Sequence, residues 1–384
     1  ESAMVREGSS KVEGMNKARL ALHAICPYFA MFPESFAREQ VEKFSRKGEW
    51  VFDPFCGRGT TILESLVLGR RAAGSDINPV AYCITRAKAE RPELGALHER
   101  LGELERQYLS FDQGHLDTLC ESLPEFYRRA FYSSTLRQLL FLRTVLSWGG
   151  NRVDRFLAAL VIGSLHGEMD RSRAYFSNQM PRTICLKPAY SLRYWRKNNL
   201  FPKKREVFQM LRGKADLRLK DLPPCGTGLV KKSDAREISS RFISLEGKVS
   251  LVVTSPPYLN VTSYEEDQWL RLWFLGGAPQ PTYGKVSTDD RHIDSGKYWK
   301  FLKDAWIGLA PLLKRKSKIV IRIGGIGIDA DEITAHLKTS IQTVFPRARL
   351  DNPPTETAIV RRQSLNFLPK SKGCKYELDY VFTV

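Results

Sequence analysis

The segment Glu49-Trp50-Val51-Phe52-Asp53-Pro54-Phe55-Cys56-Gly57-Arg58-Gly59-Thr60-Thr61 changes character twice within thirteen residues. Trp50 to Phe52 is a short apolar run and reads as a buried parallel strand. Asp53-Pro54 ends it, because proline has no N–H for a sheet ladder. Gly57 and Gly59 then allow a tight backbone turn that leaves room for a ligand. Thr60 to Leu68 reads as a helix that stops at Gly69. Strand, glycine loop and helix N-terminus in that order form a phosphate- or nucleotide-cradling unit of a doubly wound α/β sheet.

The residues that follow extend this reading. Arg70 to Gly74 has the length of a second strand, and it ends in Ser75-Asp76-Ile77-Asn78-Pro79. An acid at the end of the second strand, about 20 residues after the glycine loop, can bind both hydroxyls of a ribose. The third glycine of a dinucleotide fingerprint is replaced by Ile62, which points away from a nicotinamide cofactor. Asp53-Pro-Phe-Cys-Gly-Arg-Gly-Thr-Thr61 resembles motif I of the S-adenosylmethionine-dependent DNA methyltransferases that modify exocyclic amines. The resemblance implies S-adenosylmethionine as cofactor. It implies a cofactor site built from Asp53, Pro54, Phe55, Cys56, Gly57, Gly59, Thr60 and Thr61, with Asp76, Ile77 and Asn78 after the second strand.

A second motif lies two hundred residues on. Ser250 to Val253 reads as a buried strand, with Thr254-Ser255-Pro256-Pro257-Tyr258 at its carboxyl end, where open α/β sheets place their chemistry. Adjacent prolines fix the backbone, so Ser255 and the Pro256 carbonyl are held rather than sampled. Two acceptors converging on one point suit an exocyclic NH2 that must lose a proton, and Tyr258 offers a face for an extruded base. Ser-Pro-Pro-Tyr resembles motif IV of amino-methyltransferases. Serine at its first position resembles the cytosine-N4 enzymes, whereas adenine-N6 enzymes usually carry Asp or Asn there. The resemblance implies catalytic roles for Ser255, Pro256, Pro257 and Tyr258.

Two weaker segments fit the same family. Pro27-Tyr28-Phe29-Ala30-Met31-Phe32-Pro33, followed by the helical pattern Glu34 to Phe44, resembles motif X, which closes over the methionine half of the cofactor; this assigns Tyr28 and Phe32 to the pocket. Without the resemblance, the same aromatics read as an arm packed on the sheet. Lys232-Ser233-Asp234-Ala235 resembles motif III after a third strand at Gly228 to Lys231. There Asp234, with Ala235, is expected beside the adenine amine. Asn260, Tyr264 and Asp267-Gln268-Trp269 continue the likeness, and Trp269 to Phe274 reads as a helix with an aromatic stripe turned to the core.

Between the second and third strands the composition changes. Gly95 to about Glu168 is helix-patterned throughout, with apolar stripes in Phe126 to Leu146 and Arg155 to Leu165. Asp170 to Lys232 then holds sixteen Lys/Arg against four acids, which supplies twelve of the eighteen net positive charges. Aromatics are interleaved, as in Tyr190-Ser191-Leu192-Arg193-Tyr194-Trp195-Arg196-Lys197. Cationic side chains neutralise phosphates, while planar and amide side chains can reach bases. The expected DNA-binding set is Arg171, Arg173, Asn178, Gln179, Arg182, Lys187, Arg193, Tyr194, Trp195, Arg196, Lys197, Lys203, Lys204 and Arg205. Asn178-Gln179 and Asn198-Asn199 are the candidate base readers.

The whole-chain composition agrees with a polyanion partner. At 384 residues with 42% apolar content, the chain holds a catalytic domain plus a large insertion. A net charge of +18 favours nucleic acid over a membrane surface, since no basic amphipathic helix stands out. No run of about 18 apolar residues and no secretory pattern is present. Seven cysteines without a CxxC pair point to reduced thiols in a cytoplasmic protein, and six scattered histidines offer no metal spacing.

Later strands are expected at Lys318 to Ile323, Ile341 to Phe345, Glu356 to Val360 and, antiparallel, Tyr376 to Val384; Arg361 to Lys375 is then a loop near the active face. The expected organisation is a flexible leader (1–15) and the first part of a seven-stranded, Rossmann-like methyltransferase domain (16–94). A helical, basic target-recognition insertion (95–227) and the rest of the domain (228–384) follow. The motif order X, I, II, insertion, III, IV departs from that of many Ser-Pro-Pro-Tyr enzymes, which place motif IV first.

The expected activity is transfer of a methyl group to cytosine N4 in double-stranded DNA by base flipping. The resemblance adds a cognate restriction endonuclease as a possible partner; this chain has no nuclease signature. Adenine-N6 methylation and RNA guanine-N2 methylation remain alternatives, as does a DNA-binding regulator on an inactive fold. A cytosine-C5 enzyme would need a Pro-Cys nucleophile where Pro256-Pro257-Tyr258 stands.

Overall fold

The computed structural model describes residues 20–28, 32–168, 173–182, 184–259, 264–282, 295–325, 327–359, 374 and 376–384. Its sheet contains β1 (Trp50–Asp53), β2 (Arg71–Asp76), β3 (Leu229–Lys232), β4 (Val249–Thr254), β5 (Leu313–Ile323), β6 (Arg349–Leu350), β7 (Thr355–Ala358) and β8 (Tyr376–Thr383). They lie in the order β3-β2-β1-β4-β5-β8-β6, with β7 also on β8. The first five positions are parallel, and β8 runs antiparallel to β5. β6 pairs with the Phe382–Thr383 end of β8 and β7 with its Tyr376–Asp379 end. They fill one sheet position, interrupted at Pro353-Pro354, where no backbone N–H is available for the ladder. The sheet is therefore seven strands wide, α/β and doubly wound.

Alternation along each strand explains the two covered faces. Val51, Leu251, Val253 and Val320 meet Phe32, Phe36, Ala37 and Val41 of the N-terminal arm and the helix Glu34–Phe44. Phe52, Val252, Ile319 and Ile321 face the other way, onto Phe242, Tyr298, Leu302 and Trp306.

One strand expectation is corrected. Ile341 to Phe345 is the end of the helix Ala330–Val344, whose buried Ile333, Leu337 and Ile341 repeat every fourth residue. The short apolar window hid that longer period. Thr355–Ala358 lies at the Glu356 to Val360 expectation, and Val360 is outside the described residues, as are Asn260 and nearly all of Arg361 to Lys375.

Between β2 and β3 the regular elements among the described residues are helices, including Leu94–Ser110, Arg152–Ile162, Pro188–Lys197 and Val207–Leu219. These helices do not hang free. Leu97, Leu139, Phe156 and Trp195 share one core with Val80 and Ile84 of the helix Pro79–Ala89 and with Trp269–Phe274. No helix among the described residues is long and apolar enough to cross a membrane.

Candidate active site

β1 separates β2 from β4, so the loops after β1, β2 and β4 open on the same sheet edge, where the direction of winding reverses. In the first loop Gly57 and Gly59 both have positive φ, 51° and 76°. At Gly59 a Cβ would lie 2.8 Å from the Thr85 hydroxyl and 3.0 Å from the Thr85 Cα, so no other residue fits there unstrained. Thr85 donates to the Gly57 carbonyl at 3.1 Å and pins the loop to the next helix.

Asp76 holds the loop from the β2 side. Its carboxylate accepts the Gly57 N–H at 2.8 Å and the Asn78 N–H at 2.9 Å. These contacts fix the carboxylate beside the glycine loop, and Ile77 next to it is 47% exposed. An oriented carboxylate for ribose hydroxyls next to an apolar surface for a purine is the donor set a nucleoside half needs, and the site fits S-adenosylmethionine. Tyr28 lies 3.8 Å from a Cβ built on Gly57, which puts it at the same loop. Phe55 is half-buried against Phe301.

Other expected cofactor residues serve the frame. Asn78 caps the helix Pro79–Ala89 by accepting from Val80 N–H at 2.8 Å. Thr60 accepts from Arg58, while Thr61 donates to the Val253 carbonyl and Ser75 to the Pro54 carbonyl. The Cys56 thiol donates to the Asp53 carbonyl, and burial raises it well above its ordinary value. Phe32 is 7% exposed and packs edge-on to Phe36 in the sheet core. That is the packing an aromatic arm adopts. Asp234 accepts from the Arg236 backbone and guanidinium at 2.9, 2.9 and 2.6 Å, so it closes its own turn. Ser233 N–H reaches the Asp76 carbonyl and Ala235 is buried, which sets this turn beside the cofactor strand.

Asp53 joins the two motifs. It is 1% exposed, and one carboxylate oxygen accepts both the Phe55 N–H at 3.0 Å and the Thr254 hydroxyl at 2.6 Å. Burial pushes its carboxyl up to about 7. Immediately after Thr254 the Ser255 hydroxyl is partly exposed and 3.4 Å from the Tyr258 hydroxyl. Pro256 is buried, and Tyr298 donates to the Pro257 carbonyl at 2.7 Å, which fixes the loop from below.

The Tyr258 hydroxyl donates to Glu377 on β8 at 2.9 Å. Gly324 allows this approach, since a Cβ there would crowd the Tyr258 ring at 3.3 Å and the Tyr376 carbonyl at 2.9 Å. Arg322 of β5 pairs with Asp379 through two contacts of 2.7 Å and stands 3.5 Å from Glu377. Burial, then the Glu377 charge, push the Tyr258 hydroxyl well above its usual value; burial also raises Glu377. Sequence reading missed Glu377, Arg322 and Tyr298. Glu377 occupies a polar position of an alternating strand, which reads as a solvent position.

The basic stretch divides sharply. Asn178 is 2% exposed; its N–H donates to the Ala130 carbonyl and its side-chain oxygen accepts from Gln179 N–H. Trp195 is 1% exposed, stacks near Phe126 and donates to the half-buried Gln179's carbonyl at 3.0 Å. Asn178 and Trp195 are thus enclosed in the framework, while Gln179 is half-buried and is held there by its backbone. Arg205 is half-buried beside Thr135. Arg173, Arg182, Lys187, Arg193, Tyr194, Arg196, Lys197, Lys203 and Lys204 are exposed, with Arg196 paired to Glu125 and Lys204 to Glu206. Arg171 lies outside the described residues.

On the helix Pro188–Lys197, Tyr190, Arg193, Tyr194 and Lys197 fall at i, i+3, i+4 and i+7 and form one exposed face. Its two tyrosines stack with rings 6.3 Å apart and 11° from parallel.

A seven-position sheet with a glycine loop after β1, an acid after β2 and Ser-Pro-Pro-Tyr after β4 is the arrangement of a Rossmann-like methyltransferase fold. Residues 7–86 match the DNA methylase family of the N4/N6 type. The type II methyltransferase M.BsoBI of Geobacillus stearothermophilus is 24% identical over 293 residues, covering 67% of this chain and 53% of that protein. The type II methyltransferase M.MvaI of Kocuria varians is 29% identical over 112 residues, 27% of this chain and 24% of its own. The orphan methyltransferase M.BamHII of Bacillus amyloliquefaciens is 39% identical over 54 residues, 14% of this chain and 20% of its own. The chain is similar to DNA amino-methyltransferases of the N4/N6 type, and its matches span about half or less of those proteins' lengths.

Proposed function

We propose that this protein methylates the exocyclic N4 amine of cytosine in double-stranded DNA. The observation that carries the reading is Ser255, held by Pro256-Pro257 at the end of β4, directly beside the cofactor loop that Asp53 ties to it through Thr254. A flipped base stacks on the Tyr258 ring, and its amine donates to the Ser255 hydroxyl and the Pro256 carbonyl. Bound S-adenosylmethionine supplies an electrophilic methyl group. The protein's part is orientation: acceptors fixed where positive charge develops on nitrogen, and a stacked base aligned for in-line attack. The helical insertion, 95–227, serves as the target-recognition region. Its Tyr190, Arg193, Tyr194 and Lys197 face suits a duplex, with cations for phosphates and flat rings for sugar and base edges.

Ser255→Ala tests the reading. Turnover on DNA drops by about a hundredfold or more while cofactor affinity holds, since the Ser255 hydroxyl bonds Tyr258 and the target amine rather than the cofactor loop. Unchanged turnover refutes this role. A product of N6-methyladenine moves the target base but keeps the site.

A further inference from the structure

Two hydrogen bonds leave the methyl-transfer loop in one direction. Ser255 donates to the Tyr258 hydroxyl at 3.4 Å, and Tyr258 donates to Glu377 at 2.9 Å. An ionised carboxylate only accepts, so Tyr258 must donate to it, and that leaves the tyrosine oxygen to accept from Ser255. The three groups come from the loop after β4 and from β8, and Gly324, just after β5, clears the space between them.

We propose that Glu377 is the terminal acceptor of the proton lost by the target amine, reached through Ser255 and Tyr258; this rests on the amino-methyltransferase reading above. As the amine lone pair forms the N–C bond, the C–S bond breaks and its electrons stay on sulfur. Nitrogen, now positive, passes a proton to the Ser255 oxygen. Ser255 passes its own proton to the Tyr258 oxygen, and Tyr258 passes its own to the Glu377 carboxylate. Glu377 returns that proton to solvent after the product leaves, so no other co-reactant is needed.

The surroundings of Glu377 suit a base that must cycle. Arg322 donates to Asp379 through Nε and Nη2 at 2.7 Å each, and its third nitrogen, Nη1, reaches Glu377 only at 3.5 Å, so its charge is largely matched elsewhere. Among the described residues, the titratable and charged groups facing Glu377 are Arg322 from β5, Asp379 from β8 and Tyr258 from the β4 loop, with Cys374 near Tyr258. Burial outweighs the lowering by Tyr258 and Arg322 and leaves the carboxyl above its usual range, which favours proton uptake. The base works only when ionised, so the rate falls as pH drops through that raised value.

The test is single-turnover methylation of duplex DNA by the full chain as a function of pH, with wild type, Glu377→Gln and Tyr258→Phe. Glutamine keeps the acceptor oxygen and shape but not the basicity. The proposal expects a loss of about a hundredfold in rate, disappearance of the acid limb, and unchanged cofactor and DNA affinity. Tyr258→Phe, which keeps the stacking ring and removes the relay oxygen, gives a similar loss. An active wild type with Glu377→Gln equal in rate and pH profile overturns the relay alone, as does a loss shared equally by binding and thermal stability. A wild type that transfers no methyl group to DNA overturns the amino-methyltransferase reading, and the relay with it.

Discussion

Asp53→Asn separates the electrostatics of the motif junction from its hydrogen bonding. The carboxyl is fully buried, and its value rises from 3.8 to about 7 through loss of solvation. In the unfolded chain it returns to about 3.8. Between those values the folded protein holds a proton that the unfolded chain has lost. The associated stability is complete below about pH 4 and is lost as pH rises through about 7. Three units correspond to about 4 kcal/mol over the full window and about 2–3 kcal/mol between pH 5 and 8. Asparagine does not titrate. Its side-chain oxygen can still accept from Phe55 and Thr254, while its NH2 takes the place of a buried oxygen with no hydrogen-bond partner. That replacement costs about 1–3 kcal/mol at every pH. Urea unfolding of both proteins at pH 5 and pH 8 therefore shows the gap moving in favour of the variant by about 2–3 kcal/mol as pH rises. A gap that stays constant across that range refutes the buried, raised carboxyl.

Gly59→Ala places a methyl 2.8 Å from the Thr85 hydroxyl at a φ of 76°; thermal melting registers a loss of about 2–3 kcal/mol, with weaker cofactor binding. Asp76→Asn keeps shape and removes charge, and calorimetric titration of S-adenosylmethionine shows binding about ten- to a hundredfold weaker, in line with hydrogen bonds to a charged group. Trp195→Ala lowers stability by about 3–5 kcal/mol as a buried aromatic, whereas Tyr190→Ala with Tyr194→Ala leaves urea unfolding within about 1 kcal/mol and weakens DNA binding measured by fluorescence anisotropy. Equal stability losses for both would erase the division between core and DNA face.

The elements around the glycine loop were legible because their signals are local. Pro54 ends β1, Gly57 and Gly59 make the loop, and Val249–Thr254 is apolar enough to declare a buried strand. Composition could not say which side of a basic helix faces inward. On Pro188–Lys197 the buried stripe is Ser191 and Trp195, one turn apart, while the neighbouring Tyr194 is exposed. Phe32 looks the same in sequence whether it lines a pocket or packs against Phe36, and its contact with Phe36 emerges only from the sheet alternation. Glu377 was beyond reach for a different reason. Its partner Tyr258 is 119 residues away, and nothing in an alternating strand marks one polar position as enclosed.

Nucleoside mass spectrometry of DNA and RNA from cells expressing the protein tests the central claim most directly. The account predicts N4-methylcytosine in DNA, absent from cells expressing Ser255→Ala. N6-methyladenine in DNA contradicts the cytosine assignment, and a mark confined to RNA, or no mark at all, contradicts DNA methylation itself.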